Sequence, residues 1–243
     1  MRLLVSVATA AEASAALAGG ADVIDAKNPL AGALGAVSAA TLLEIHRIVA
    51  GRRPVTAALG DADDEATIEC DAHAFAAAGA ALVKVGFSGI ASTAVAALLE
   101  AAVRGASAAP VTRDGHHIGC GVVAVAYADA ARVMSLQPDA LVAVAASAGA
   151  SGVLLDTADK NGPGLRGLIA PNALARWVEA AHEAGLTVAV AGKLTADDLL
   201  FARDAGVFQT ESQLFKDRVL CPADLIERVL KSQPYIQHPF AQR

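Results

Sequence analysis

Five times along this chain a short phrase of alanine and glycine gives way to apolar residues that end in polar ones. The phrases are Gly19-Gly20-Ala21, Ala78-Gly79-Ala80, Ala148-Gly149-Ala150, Ala184-Gly185 and Ala205-Gly206. Each reads as a helix that stops on a left-handed glycine and turns straight into a strand, since glycine takes that backbone without a Cβ penalty. Recurrence at about 30 residues or its multiples is the rhythm of a βα unit, because parallel strands need a crossover between them.

The units can be laid out in order. Strands are predicted at Leu3–Val7, Asp22–Lys27, Pro54–Leu59, Ala81–Gly86, Val122–Ala126, Gly152–Asp156, Thr187–Ala191 and Gly206–Thr210. Helices are predicted at Glu12–Leu17, Ser38–Val49 with Ser38 as its cap, Thr67–Ala78, Ser92–Arg104, Asp139–Ala148, Pro171–Ala184, Thr195–Asp204 and Pro222–Leu230. Gly105 to Gly119 reads as a polar loop, and Tyr127 to Pro138 as a loop with a short helix. Near-continuous apolar strands alternating with amphipathic helices predict an α/β fold, a closed (β/α)8 TIM barrel over residues 1–231. Residues 232–243 form a C-terminal tail outside the repeat. An open doubly wound sheet is the competing architecture, but no Gly-x-Gly-x-x-Gly follows the first strand, which argues against its dinucleotide-binding form.

Composition narrows the partners. The 243 residues carry a net charge of −6, and no block of Lys or Arg interrupts them, so nucleic acid and anionic membrane are not expected partners. The uncharged run from Ala140 to Leu155 is shorter than the ~18 residues of a membrane helix. Met1 to Ala10 leads directly into a strand pattern and is not read as a signal peptide. The three cysteines are widely spaced and lack metal-ligand spacing, so reduced thiols and a cytoplasmic protein are expected. The apolar helix faces and the tail suggest a homo-oligomer.

The chemistry gathers around Asp22-Val23-Ile24-Asp25-Ala26-Lys27-Asn28-Pro29, closed by Gly32 and Gly35. Residues two apart on a strand share a face, so Val23, Asp25 and Lys27 point one way and Ile24 and Ala26 the other. In a barrel the working face is the C-terminal end of the strands. Asp25, Lys27 and Asn28 land there from strand two, Asp61 from three and Lys84 from four. Tyr127 and Asp129 arrive from strand five, Asp156, Thr157 and Lys160 from six, and Lys193 from seven. Lys27 and Lys84 lie within apolar strands, where desolvation or a second cation turns an amine into a nucleophile toward carbonyls. Asp25 can hold a neighbouring lysine or pass its proton. The pattern predicts Schiff-base chemistry on a small carbonyl compound; two buried ion pairs, Lys27–Asp25 and Lys84–Asp156, are the purely structural alternative. His116-His117 has no third ligand, so no metal is expected. His46, His73 and His182 fall on helices as surface or packing residues, and Asp61-Ala62-Asp63-Asp64-Glu65 reads as a solvated acidic loop.

These residues carry a resemblance. Ala18 to Pro29, Gly32 to Gly35, Val83-Lys84-Val85-Gly86, Tyr127-Ala128-Asp129-Ala130 and Leu155-Asp156-Thr157-Ala158-Asp159-Lys160 resemble, in order and spacing, the (5-formylfuran-3-yl)methyl phosphate synthase family. The resemblance implies a TIM-barrel lyase of the carbon–oxygen class, acting on phosphates in methanofuran biosynthesis and one-carbon metabolism, with no cofactor. It implies that two molecules of glyceraldehyde 3-phosphate condense with loss of one phosphate and two waters. Lys27 matches the imine-forming lysine, Lys84 the proton-transfer lysine, and Asp25, Asp156 and Lys160 the residues that support them. Asn28, Lys160 and Lys193 are the expected substrate and phosphate contacts. The family carries a glycine-rich phosphate loop after strand eight; the stretch matched to it, Gly206 to Gln213, has no glycine after Gly206 and adds Glu211. Phosphate would then rest on Lys193, Lys160, Arg218 or Lys216. Another lysine-dependent sugar-phosphate aldolase and a barrel without catalysis are the alternatives.

Overall fold

The structure, a computed structural model, describes residues 2–213 except 110, 111, 114, 115, 118, 196 and 208. Its parallel strands are β1 (Arg2–Val7), β2 (Val23–Ala26), β3 (Val55–Asp61), β4 (Leu82–Gly86), β5 (Gly121–Tyr127), β6 (Gly152–Asp156), β7 (Thr187–Val190) and β8 (Gln209–Gln213). Each pairs in parallel with the next, and β8 pairs with both β7 and β1, so the sheet is curled round on itself. The helices between them are α1 (Ala10–Ala18), α2 (Ala39–Val49), α3 (Glu65–Ala77), α4 (Val95–Ala108), α5 (Pro138–Ser147), α6 (Pro171–Glu183) and α7 (Asp198–Asp204). The expected helix Pro222–Leu230, the tail, and Lys216 and Arg218 lie outside the described residues.

The local rules of the sequence operate as expected. In each of the five phrases one glycine is left-handed, with φ of 86° at Gly20, 99° at Gly79, 76° at Gly149 and Gly185, and 84° at Gly206, while Gly19 keeps helical backbone at φ −77°. Ser38 caps α2 by accepting from the Thr41 amide. Asp64, exposed as expected, also caps α3; the Thr67 hydroxyl and amide hold its carboxyl below the usual range. On α6, Leu174, Trp177, Val178 and Ala181 form one buried stripe at helical spacing.

Buried side chains separate into two layers. Val122, Ala124 and Ala126 of β5 pack outward with the helices. Val123, Val125 and Tyr127 face inward, with Leu34, Ala58, Leu154 and Ala191. Alternation along one strand thus builds both layers.

Three expectations are corrected. The helix expected to stop at Arg104 continues through Gly105 to Ala108. Gly105 is buried, and a Cβ there would meet the backbone of Glu69 on α3, so glycine is what lets the two helices approach. Alanine would gain about 1 kcal/mol of helix propensity, but overpacking against backbone costs about 1–3 kcal/mol. A lowered urea midpoint is therefore expected for Gly105→Ala. The second correction is in β3, which runs on to Asp61 through an irregularity in its pairing between Ala58 and Gly60, where Gly60 has φ 94°. The third is β8, which begins at Gln209, because Gly206 belongs to the end of α7. Gln209 to Gln213 is therefore the strand itself, not the loop after it. No helix among the described residues is long and apolar enough to cross a membrane.

Candidate active site

The site is built at the C-terminal ends of β2, β4 and β6. Ser6, Asp25 and Thr56 are register partners on three adjacent strands, so their side chains stand in one row. Asp25 is fully buried and accepts from the Ser6 hydroxyl at 3.0 Å, the Thr56 hydroxyl at 2.6 Å and the Lys84 ammonium at 2.6 Å. A buried carboxylate is tolerated only when charge and lone pairs are both met, and here both are. Two positions further on, Lys27 is also buried, and its amide bonds Val7 of β1. Its Nζ lies 3.9 Å from Asp156 Oδ2.

Asp156 closes the other side. Its Oδ1 accepts from the Thr157 amide at 2.7 Å and from Lys160 Nζ at 2.9 Å. Lys160 also donates to the Thr157 carbonyl at 2.6 Å. Asp156 Oδ2 and Thr157 Oγ1 are both buried and have no hydrogen-bond partner among the described residues. The carboxylate oxygen nearest the Lys27 amine can therefore still accept a proton or hydroxyl.

The structural alternative drawn from the sequence paired Lys27 with Asp25 and Lys84 with Asp156. The pairs found are crossed: Lys84 with Asp25 and Lys27 with Asp156. Asp25 and Lys27 do share a face, yet each reaches a different strand. A fixed lysine, an amine beside an open carboxylate and a half-exposed third cation can together hold a carbonyl compound and move its protons.

Not every expected residue joins this cluster. The Asn28 side chain accepts from the Leu30 amide and caps the single turn Pro29–Ala31. Lys193 is exposed at the end of β7, with φ 57°, and its Nζ donates to the Gly162 carbonyl at 2.7 Å. Asp61, expected to be solvated, accepts from the Tyr127 hydroxyl at 2.8 Å and the Ser88 amide at 2.9 Å. Burial, and then the Asp61 carboxylate beside it, push the Tyr127 phenol far up, so it stays a donor. Gly86 leaves room for this contact, since a Cβ there would meet Asp61, Tyr127 and Leu34.

Ser6 and Thr56 were missed. Their signal was a single polar residue inside each of two apolar strands flanking Asp25. His46 packs its ring against Gly79, and His73 and His182 are exposed on helices, as expected. His116-His117 pairs its backbone with Thr112–Arg113, while the side chains lie outside the described residues. No cluster of three or more metal-ligating side chains occurs among the described residues.

Known proteins share this architecture. The solved structure of 3-hexulose-6-phosphate synthase superposes with a TM-score of 0.62 at 20% identity, covering 96% of this chain and 99% of that one. KGPDC from Streptococcus mutans gives 0.64 at 17% identity, covering 95% and 98%. At such identities the likeness concerns the fold alone. Sequence relatives are nearer. The (5-formylfuran-3-yl)methyl phosphate synthase of Methanopyrus kandleri is 39% identical over 206 residues, 84% of each chain. The protein of the same name from Methanosarcina acetivorans is 37% identical over 200 residues, 82% of this chain and 83% of the relative. A family model described as 4-HFC-P synthase matches residues 3–205, from β1 to the end of α7. The chain belongs to the 4-HFC-P synthase family.

Proposed function

We propose that this protein is a (5-formylfuran-3-yl)methyl phosphate synthase that works through an imine on Lys27. The observation that carries the reading is the buried Lys27 amine 3.9 Å from an oxygen of Asp156 that accepts no hydrogen bond from the described residues. The substrate class is the one that the resemblance to this family implies. Two molecules of glyceraldehyde 3-phosphate give one furan aldehyde phosphate, one inorganic phosphate and two waters, so carbon, oxygen and phosphorus balance.

In this reading the Lys27 amine attacks a triose aldehyde and loses water to form an iminium. The iminium then takes up the electrons released when a carbon-bound proton leaves, which permits phosphate expulsion and carbon–carbon bond formation. Hydrolysis returns the lysine. Lys84, held by Asp25, moves protons, and Asp156 serves Lys27. Lys160 is half out in solvent and can swing to a phosphate, with Lys193 and Asn28 at the rim. The pairing of β8 with β1 supports reading the whole as a closed (β/α)8 barrel, a single domain over residues 1–231.

Intact-mass analysis after glyceraldehyde 3-phosphate and borohydride is the test, run beside an assay for released phosphate. A triose-sized adduct mapped to Lys27 is expected, with phosphate release and furan-like ultraviolet absorbance in the absence of borohydride. An adduct without phosphate release would replace the synthase with a plain aldolase. Neither adduct nor phosphate would make the protein a barrel without this catalysis.

A further inference from the structure

Asp129 lies just past the end of β5 and is 7% exposed, yet no step above uses it. It precedes the single turn Ala130–Arg132, the place where an aspartate ordinarily caps its own turn, and here its side chain makes no cap bond. Instead both oxygens reach to the loop after β6. Oδ1 accepts from the Ala158 amide and Oδ2 from the Asp159 amide, each at 2.8 Å. Two consecutive backbone N–H groups held by one carboxylate fix a turn in both position and orientation. That turn runs from Asp156 to Lys160. Its backbone supplies the Thr157 amide that holds Asp156 Oδ1, and its last residue folds back to the same oxygen. The Arg132 guanidinium, 3.3 Å from Asp159, ties the same two loops at the surface.

We propose that Asp129 is a positioning residue for the synthase reaction, acting through the 157–160 turn to hold Lys160 against Asp156. This rests on the functional reading above. Without the clamp, two amides lose their acceptor and the turn can open, taking the Lys160 ammonium with it.

Asp129→Asn keeps the shape but sets an amide nitrogen against one of the two N–H groups. It is expected to lower kcat/KM for phosphate release about 10- to 100-fold, the scale of a misplacement near 1 Å. Because Asp129 acts through Lys160, the double variant Asp129→Asn/Lys160→Ala should be no slower than Lys160→Ala alone. Competitive acetylation mapped by mass spectrometry reads the same clamp without any turnover. Lys160 labelling should rise about tenfold in Asp129→Asn, the freeing of one charge-assisted bond, with Lys27 and Lys84 unchanged. A wild-type rate in Asp129→Asn, losses that multiply in the double variant, or unchanged Lys160 labelling would each overturn the proposal. Should Asp129→Asn fail to fold, Asp129→Ser retains one acceptor and takes its place; failure of both would make Asp129 a scaffold residue and end the proposal. Absence of phosphate release by the wild type would instead refute the synthase reading, while the labelling result would still decide the clamp.

Discussion

Lys27→Ala should abolish phosphate release, a loss on the order of 10⁴-fold or more for removal of a covalent nucleophile, and should leave no borohydride-trapped adduct. The fold should survive. Asp156 would still be held by Lys160 at 2.9 Å and by the Thr157 amide, so deleting the Lys27 ammonium does not strand the Asp156 carboxylate. What remains is the volume of the aliphatic stem, worth about 2 kcal/mol or somewhat more in a buried site. Lys27→Met fills that volume without an amine and should match wild type in its melting temperature while remaining inactive. Stopped-flow phosphate detection and peptide mapping after borohydride check both variants. A trapped adduct in Lys27→Met would move the imine to another lysine.

Asp25→Ala should act on stability as strongly as Lys27→Ala acts on rate. The substitution removes the 2.6 Å partner of the ammonium of Lys84, a side chain only 4% exposed, and the acceptor of two hydroxyls. Breaking a buried charge pair from one side costs about 3–5 kcal/mol. For a domain of this size that corresponds to a fall of roughly 6–20 °C in melting temperature. Asp25→Asn keeps the shape and should lie between alanine and wild type. Calorimetry checks both. A fall of less than about 2 °C in Asp25→Ala would show that Lys84 exchanges Asp25 for another acceptor at little cost.

Sequence and structure agree where a residue type has one physical meaning and part where a distant neighbour decides. Glycine punctuation was legible because one residue type has one conformational privilege, and each of the five phrases places a glycine in the left-handed backbone. β6 was legible to the residue because turn and strand chemistry change abruptly at Gly152 and Asp156. Helix α4 was cut short because a glycine reads as a stop on propensity alone. Only the approach of α3 explains why Gly105 sits inside the helix. The cluster of Asp25, Lys27, Lys84, Asp156 and Lys160 at the candidate site was legible as a set, since charged groups in apolar strands must converge on something. Their pairing was not. Strand alternation says which face a residue occupies; circumferential neighbours depend on tilt and register, which crossed the two pairs. Asp129 and Asp61 carried no legible role, because their partners are backbone amides on other loops and a phenol at the end of β5.

The crossed pairs also order events in time. Asp25 and Lys84 lie within the first third of the chain or just past it, on strands separated only by β3. Their union needs nothing made after β4. Lys27 emerges beside Asp25, but Asp156, with which it pairs at 3.9 Å, is delivered by the ribosome 129 residues later. A nascent chain can thus neutralise its first buried charges early. The Lys27–Asp156 pair can form only when the curled sheet is well over half assembled, so truncated chains could carry the Asp25–Lys84 pair without it.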